Sequence, residues 1–273
     1  MIPVVRAELR RLSRWPAMWV LGGTWLVLNL CFGYLFPYLT YHSKPNPVLL
    51  SQLLPAQAPV ILVQGMPMFG GALLLIMGAL IVGSGYGWGT WKSIFTTGPR
   101  RGTALGGTSL AAGVVVVGLV AVTLALDLTA SLIISQSLGQ SLTMPSLLSV
   151  GQDYGSALLI ALMWTSAGLL LGTLTRGPAL AVGLGLVWAL VVENLLRGVA
   201  SLLGPLKPVT DVLPGSAAGS LAGAIGALPQ NDPNGTPGVT TILGGTPATL
   251  VLAAYLVVFL ALSLGITARR DVA

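Results

Sequence analysis

The chain has 273 residues, 54% of them hydrophobic and only 7% charged, and its mean hydropathy is +0.88. A soluble domain carries about 25% charged residues to solvate its surface, so 13 basic and 7 acidic side chains cannot cover a soluble globule of this size. The net charge of +6 would suggest nucleic acid in a soluble protein; here the basic residues sit between apolar segments, and no nucleic-acid partner is expected.

A helix needs about 20 mostly apolar residues to cross roughly 30 Å of hydrocarbon. Before the first such run, residues 3–16 place Val5, Leu9 and Leu12 at helical spacing, with Arg6, Arg10 and Arg14 on a separate stripe. That pattern predicts an amphipathic helix lying in the inner interface, the alternative being a basic flank that only fixes topology. Pro16 permits a bend into the first span, 17–40. The start is basic then apolar, but the run is too long for a cleaved signal peptide and reads as a retained span. Cys31, the only cysteine, lies mid-span as a packing residue and excludes an internal disulfide.

The second span is predicted at 61–86, within a stretch free of charge from Lys44 to Lys92. Residues 87–101 follow as a short loop. Trp88, Trp91 and Phe95 share a helical face there, and Gly98-Pro99 stops the helix. The aromatic face suits either an interfacial belt or a knob for a partner protein. The third span is predicted at 104–133, with apolar character continuing to Leu138 and Asp127 inside it; the helix is either long and tilted or ends near Leu126. The fourth and fifth spans, 156–175 and 179–203, are joined by the tight hairpin Thr175-Arg176-Gly177-Pro178. The connection 204–246 is rich in Gly and Pro. Its Gly215, Gly219 and Gly223 repeat every four residues, a spacing that lets helices approach closely, and 230–238 reads as a solvated turn cluster. The sixth span is predicted at 247–268.

The result is an all-α, polytopic membrane protein with a single transmembrane domain over 1–273. With the N-terminus inside, ten of the 13 Lys and Arg residues fall on the inner side, leaving Lys44, Arg197 and Lys207 outside. The bias places both termini in the cytoplasm.

Reacting groups are scarce. The single histidine, His42, and the single cysteine cannot build the usual zinc site, and no nucleophile elbow accompanies His42. No Lys follows a Gly, so there is no GxxxxGK[ST] phosphate loop, and no enzymatic activity is expected. Two acids stand in or near spans, Asp127 and Glu193, and such groups are costly in lipid. One reading puts them, with Asn194, on a substrate or ion path. The other puts both at the outer interface in water, with Glu193 near Arg197 at i+4.

Taken in order, several elements make the chain resemble the six-span permeases of the type-2 ABC exporters. They are Arg6-Ala7-Glu8-Leu9-Arg10-Arg11 before Trp15-Pro16; Gly89-Thr90-Trp91-Lys92 through Gly98-Pro99-Arg100-Arg101; Arg176-Gly177-Pro178-Ala179-Leu180-Ala181 running to Val192-Glu193-Asn194-Leu195-Leu196; and the terminal Arg269-Arg270-Asp271-Val272. The chain departs from the family pattern at Ser84-Gly85-Tyr86, where an acidic residue is common, and near Thr108, where a lysine is common.

The resemblance implies that two permeases pair, as copies or homologues, and that a separate ATPase subunit carrying ATP and magnesium docks on each. The docking segment would be a coupling loop holding Trp88, Thr90, Trp91, Lys92, Phe95, Arg100 and Arg101, with Trp88, Trp91 and Phe95 as its face. It also implies re-entrant helices within 205–226, a cell-membrane location, and no cofactor in this chain. The nearly uncharged spans suit a small amphipathic or apolar substrate. Two alternatives are a proton-coupled secondary transporter using Asp127 and Glu193, and an assembly or immunity protein that binds a peptide or lipid without transport.

Overall fold

The computed structural model describes residues 1–98, 100–202, 205 and 207–269. Pro99 of the Gly98-Pro99 step, Leu203 at the end of the expected fifth span, Gly204 and Leu206 of the long connection, and the terminal Arg270, Asp271, Val272 and Ala273 lie outside the described residues, as do the side chains of Phe95, Thr97, Ser201 and Leu202.

Every described element is helical, and six helices are long and apolar enough to cross a membrane. The protein is a multi-pass membrane protein. In chain order the elements are α1 (Ile2–Arg14), the first span α2 (Pro16–Ser43), the short α3 (Pro47–Leu53) and the second span α4 (Pro55–Gly87). Then come α5 (Thr90–Thr97), the third span α6 (Arg101–Ser137), the fourth α7 (Leu147–Thr175) and the fifth α8 (Pro178–Ala200). Two short helices, α9 (Lys207–Asp211) and α10 (Pro214–Ala224), precede the sixth span α11 (Gly245–Arg269).

All six predicted spans are present, mostly extended at their ends. The ambiguity in the third resolves to one continuous helix of 37 residues. Asp127 does not break it, because a side chain held by a neighbouring helix leaves the backbone ladder intact.

The centre of the bundle is the α4–α7 pair. Its crossing is set by glycine, since lipid tails are as apolar as leucine and give helices no hydrophobic reason to associate. A methyl at Gly78 would collide with the Thr165 carbonyl, one at Gly168 with the Leu75 carbonyl, and one at Gly172 would sit 2.9 Å from the Ala79 oxygen. The two backbones therefore touch. Trp164, Met163, Ile160 and Leu75 fill the space around the crossing. Of an apolar 18-residue stretch in each span, 72% is buried in α7 and 67% in α4, against 17% in α8 and 11% in α11. The last two present most of their surface outward.

At one end of the bundle α1 lies across the start of α6, where a methyl on Gly107 would meet Val4. Val5, Leu9 and Leu12 face the core, and Arg6, Arg10 and Arg14 are exposed, as the two stripes predict. Arg11 turns inward instead: it pairs with Glu8 at 2.8 Å, donates to the Ile81 carbonyl at the end of α4 and stacks over Trp15. The α7–α8 hairpin packs against the same end, since a methyl on Gly83 would touch Pro178. Arg176 adopts φ +54° there, a left-handed turn that reverses the chain in two residues before Pro178 opens α8. We refer to this as the basic end.

At the opposite end α10 is sunk among the spans, with every residue from Pro214 to Ala222 buried. The glycine stripe is used for close approach, to a side chain of the fifth span at Gly215 and to an extended segment at Gly219 and Gly223. Gly215 abuts the Glu193 carboxyl, Gly219 the Gly238 carbonyl and Gly223 the Thr240 carbonyl. An extended segment has backbone polar groups to satisfy, and small residues let it reach them: Thr240 N donates to Gly219 O, Leu243 N donates to Ser220 Oγ, and Ser220 Oγ lies 3.1 Å from Thr240 Oγ1. The neighbouring turn at 230–238 is exposed at its tip, where Asn234 N donates to Asp232 Oδ1.

Candidate functional site

At the basic end the short helix α5 hangs from α4. Gly89 takes φ +68°, a left-handed step that glycine makes without cost and that turns the chain from α4 into α5. Trp91 locks the joint. It is 4% exposed, its indole N–H donates to the Val82 carbonyl at 3.0 Å, and its ring lies where a methyl on Gly85 would fall. The expected docking face of Trp88, Trp91 and Phe95 is thus divided, because α5 folds back on α4 and the largest apolar side chain takes the interior. Trp91 is an internal anchor. Trp88 is 66% exposed and meets Trp15 edge to face at 5.6 Å. Lys92, Ser93 and Thr96 are exposed, Thr90 and Arg101 are partly covered, and Arg100 is exposed just beyond the helix.

Asp127 is enclosed between α2 and α6. Along α6, Thr123, Asp127, Ser131 and Ser135 recur every four residues and are each 0% exposed, so they form one polar stripe on one face. Against it α2 sets Trp25, Asn29 and Tyr34. Trp25 Nε1 donates to Thr123 Oγ1 at 3.1 Å, and Asn29 Nδ2 donates to Asp127 Oδ1 at 2.6 Å. Asp127 Oδ2, the Tyr34 hydroxyl and Ser135 Oγ have no hydrogen-bond partner among the described residues. A solvated position at the outer interface is excluded for Asp127. The repeat of polar residues along an otherwise apolar helix is the signal in the sequence that marks this seam, together with the lone Asn29 of the first span.

Beside the seam a groove of about 580 Å³ runs between α2, α4 and the 233–237 turn. Its wall includes Asn29, Phe32, Phe36, Gly65 and Phe69. Both spans are locally π-helical here, at Cys31–Leu35 and Met66–Gly70. Such one-residue widenings recur at functional sites; here they turn Phe32, Phe36 and Phe69 outward, each at least 44% exposed.

Glu193 is also buried, at 1% exposure, and not for the reason the i+4 spacing suggests. One carboxylate oxygen accepts the backbone N–H of Ser216 at 2.7 Å, in the first turn of α10. The first N–H groups of a helix lack internal acceptors and carry partial positive charge. A carboxylate from the fifth span therefore anchors the buried helix. Arg197 turns to Asn194, Nη2 donating to Oδ1 at 2.6 Å, and Asn194 Nδ2 donates to the Leu190 carbonyl. Glu193 and Asn194 thus belong to one outer-end cluster, whereas Asp127 is held by a different set of helices. The structure does not join the three residues into a single path.

Below the Glu193 anchor, α4, α7, α8 and α11 enclose an almost wholly apolar pocket of about 360 Å³, walled by Trp164, Trp188, Tyr255 and Phe259. The third π-helical segment, Val187–Val192, forms part of this wall.

No group of three or more His, Cys, Asp or Glu side chains is arranged to hold a metal among the described residues. No protein-family model matches the chain, and no curated protein matches it significantly.

Proposed function

We propose that the chain is the membrane-spanning subunit of an ATP-binding-cassette exporter, not itself an enzyme, working in the cell membrane with a separate ATPase that carries ATP and magnesium. The observation that carries this reading is α5. It is a short helix at the basic end, fixed to α4 through Trp91, with Lys92, Ser93 and Thr96 turned outward. A segment held that firmly transmits a push at its surface into the span it hangs from. Support also comes from the ordered resemblance along the chain, from the missing phosphate loop, and from the thinly covered α8 and α11, which leave room for a second permease. The aromatic groove and the apolar pocket suit an amphipathic or apolar cargo such as a peptide, drug or lipid.

Purification of the chain from its native membrane is expected to bring down an ATPase subunit. In that complex, Lys92→Glu combined with Thr96→Trp is expected to abolish stimulation of ATP hydrolysis by cargo, while the permease stays folded. Trp91→Ala is the wrong probe, because it removes an internal anchor. Full coupling in the double variant, or purification of an active carrier with no ATPase, refutes the reading.

The proton-coupled alternative draws on one observation, the unpartnered Asp127 Oδ2 and Tyr34 hydroxyl beside the groove. It requires transport in ATP-depleted vesicles that follows a pH gradient and is lost in Asp127→Asn. Glu193 already serves as the anchor of α10, which weakens its candidacy as a carrier of protons.

A further inference from the structure

At the end of the bundle opposite the basic helix, a cavity of about 770 Å³ opens between the first turns of α4, α7 and α11 and the last turn of α10. Its volume is in the range of ligand sites, roughly 300–1,000 Å³. Polar lining comes from Ser149 and Thr249, whose hydroxyls bond within their own helix ends, and from Gln57, Gln152, Asp153 and Thr246. None of the side chains of Gln57, Gln152, Asp153 and Thr246 has a hydrogen-bond partner or ion pair among the described residues. Asp153 is the telling member. It is 9% exposed as a residue, it lines the cavity, and its carboxylate oxygens still reach water, so a cation entering the cavity meets an unpartnered, hydrated carboxylate.

Asp153 is the one formally charged side chain lining the cavity among the described residues. No Lys, Arg or His lines the cavity among the described residues, and the C-terminal turn of α10, Ala224 to Gly226, forms one wall. That helix end carries partial negative charge and the first turns of α4, α7 and α11 partial positive charge, so the formal charge of Asp153 sets the sign of the ligand. On the other side Val60, Ile225 and Leu250 supply an apolar surface. Gly245 and Thr246, in the first turn of α11, bring backbone N–H groups without helical acceptors, which suit a carbonyl or sulfonyl oxygen on the same molecule. Neither the aromatic groove nor the apolar pocket has a charged lining residue, so this cavity differs from them in kind.

We infer that this cavity binds an organic monocation, its ammonium group paired with Asp153 and its apolar body laid against Val60, Ile225 and Leu250. The inference needs no ATPase and stands whether or not the chain exports anything. A ligand with no positive charge would strip water from the Asp153 carboxylate and leave it unpaired, so the site selects by charge first and by shape second.

The test is binding to the whole chain in nanodiscs of zwitterionic lipid, without any partner. The probe is dansylcadaverine, an aromatic fluorophore on an alkyl chain ending in one primary ammonium, and the control is its N-acetyl derivative. Saturable binding of the amine and none of the amide is expected. Asp153→Asn is expected to weaken the amine by about tenfold or more, the worth of one charge-assisted hydrogen bond. Asp232→Asn, which removes an exposed carboxylate of the same end, should change nothing. Because Asp153 as a residue is largely covered, a second variant guards against a folding defect: Thr246→Trp fills the cavity from an exposed position and is expected to block the amine. Equal binding of amine and amide, wild-type affinity in both Asp153→Asn and Thr246→Trp, or uptake that never saturates would each overturn the proposal.

Discussion

The anchoring of α10 by Glu193 makes a prediction with a change of sign in it. Glu193→Ala removes the acceptor of the Ser216 N–H and is expected to cost about 1.5–3 kcal/mol, the range for a hydrogen bond to a charged group. Glu193→Gln keeps an oxygen acceptor and should cost less. The informative step is Gly215→Ala. In the native protein the new methyl would lie 2.7 Å from Glu193 Oε1 and 2.9 Å from its carboxyl carbon, closer than atoms pack, so the variant is destabilised. In the Glu193→Ala background that obstruction is gone. Alanine then gains about 0.5–1 kcal/mol over glycine within a helix, and the same substitution becomes stabilising. Thermal unfolding of the four proteins in nanodiscs gives the double-mutant cycle, and hydrogen exchange at the Ser216 amide reports the bond directly. A Gly215→Ala effect of equal sign and size in both backgrounds, with Ser216 exchange unchanged by Glu193→Ala, refutes the arrangement.

Asn29→Ala leaves the buried Asp127 with neither oxygen paired to a side chain; it is expected to lower thermal stability by about 1–3 kcal/mol, and Asp127→Leu in the same chain is expected to recover most of that loss. Trp91→Phe forfeits the bond to the Val82 carbonyl and is expected to cost about 1 kcal/mol. Trp91→Ala opens a void as well and is expected to cost about 3–5 kcal/mol, with protease cleavage between residues 88 and 100 rising in step. Gly168→Val forces a methyl into the Leu75 carbonyl and is expected to abolish folded protein on size-exclusion chromatography. Gly155→Val, in the same helix but with open space around it, is expected to elute normally.

The spans and the amphipathic α1 were readable from sequence because a bilayer imposes a length and a charge rule on each segment independently. Val5, Leu9 and Leu12 had to face something apolar wherever they landed. Residue roles that depend on a distant partner were less legible. The aromatic spacing of Trp88, Trp91 and Phe95 indicated a helix face but not which way α5 would fold. That is decided by the Val82 carbonyl and by Gly85, which leaves room for the indole. The spacing of Glu193 and Arg197 suggested a local ion pair, whereas the N-terminus of α10, 23 residues further on, competes for the carboxylate and supplies a shaped donor. Asp127 was visible as a costly group, and the stripe of Thr123, Ser131 and Ser135 around it was there to be found. Its partner Asn29 lies 98 residues away, on another helix, and single-chain patterning carries no information about which spans meet.

These contacts also bear on where the bundle can change shape. Inside lipid one leucine face is as good as another, so the pairing of spans rests on the few features that are not interchangeable. The α4–α7 crossing is fixed by backbone meeting backbone at Gly78, Gly168 and Gly172. The α2–α6 pair is fixed by two hydrogen bonds one helical turn apart. A slide of either pair would need glycine carbonyl contacts to clash or buried polar groups to part. The fifth and sixth spans meet that pair mainly through side chains, as where Leu75 of α4 sits against Gly185 of α8. The fifth is held at its ends, by the Arg176 hairpin and by Glu193, and carries a π-helical segment between them. In an exporter of the proposed kind, a push on α5 reaches α4 and α7 as one body. The relative motion must then occur where that body meets α8 and α11, around the apolar pocket of Trp188, Tyr255 and Phe259. A crosslink that ties α8 to α7 across that pocket should therefore stop transport while leaving α4 and α7 as they are, whereas a crosslink between α4 and α7 should be silent.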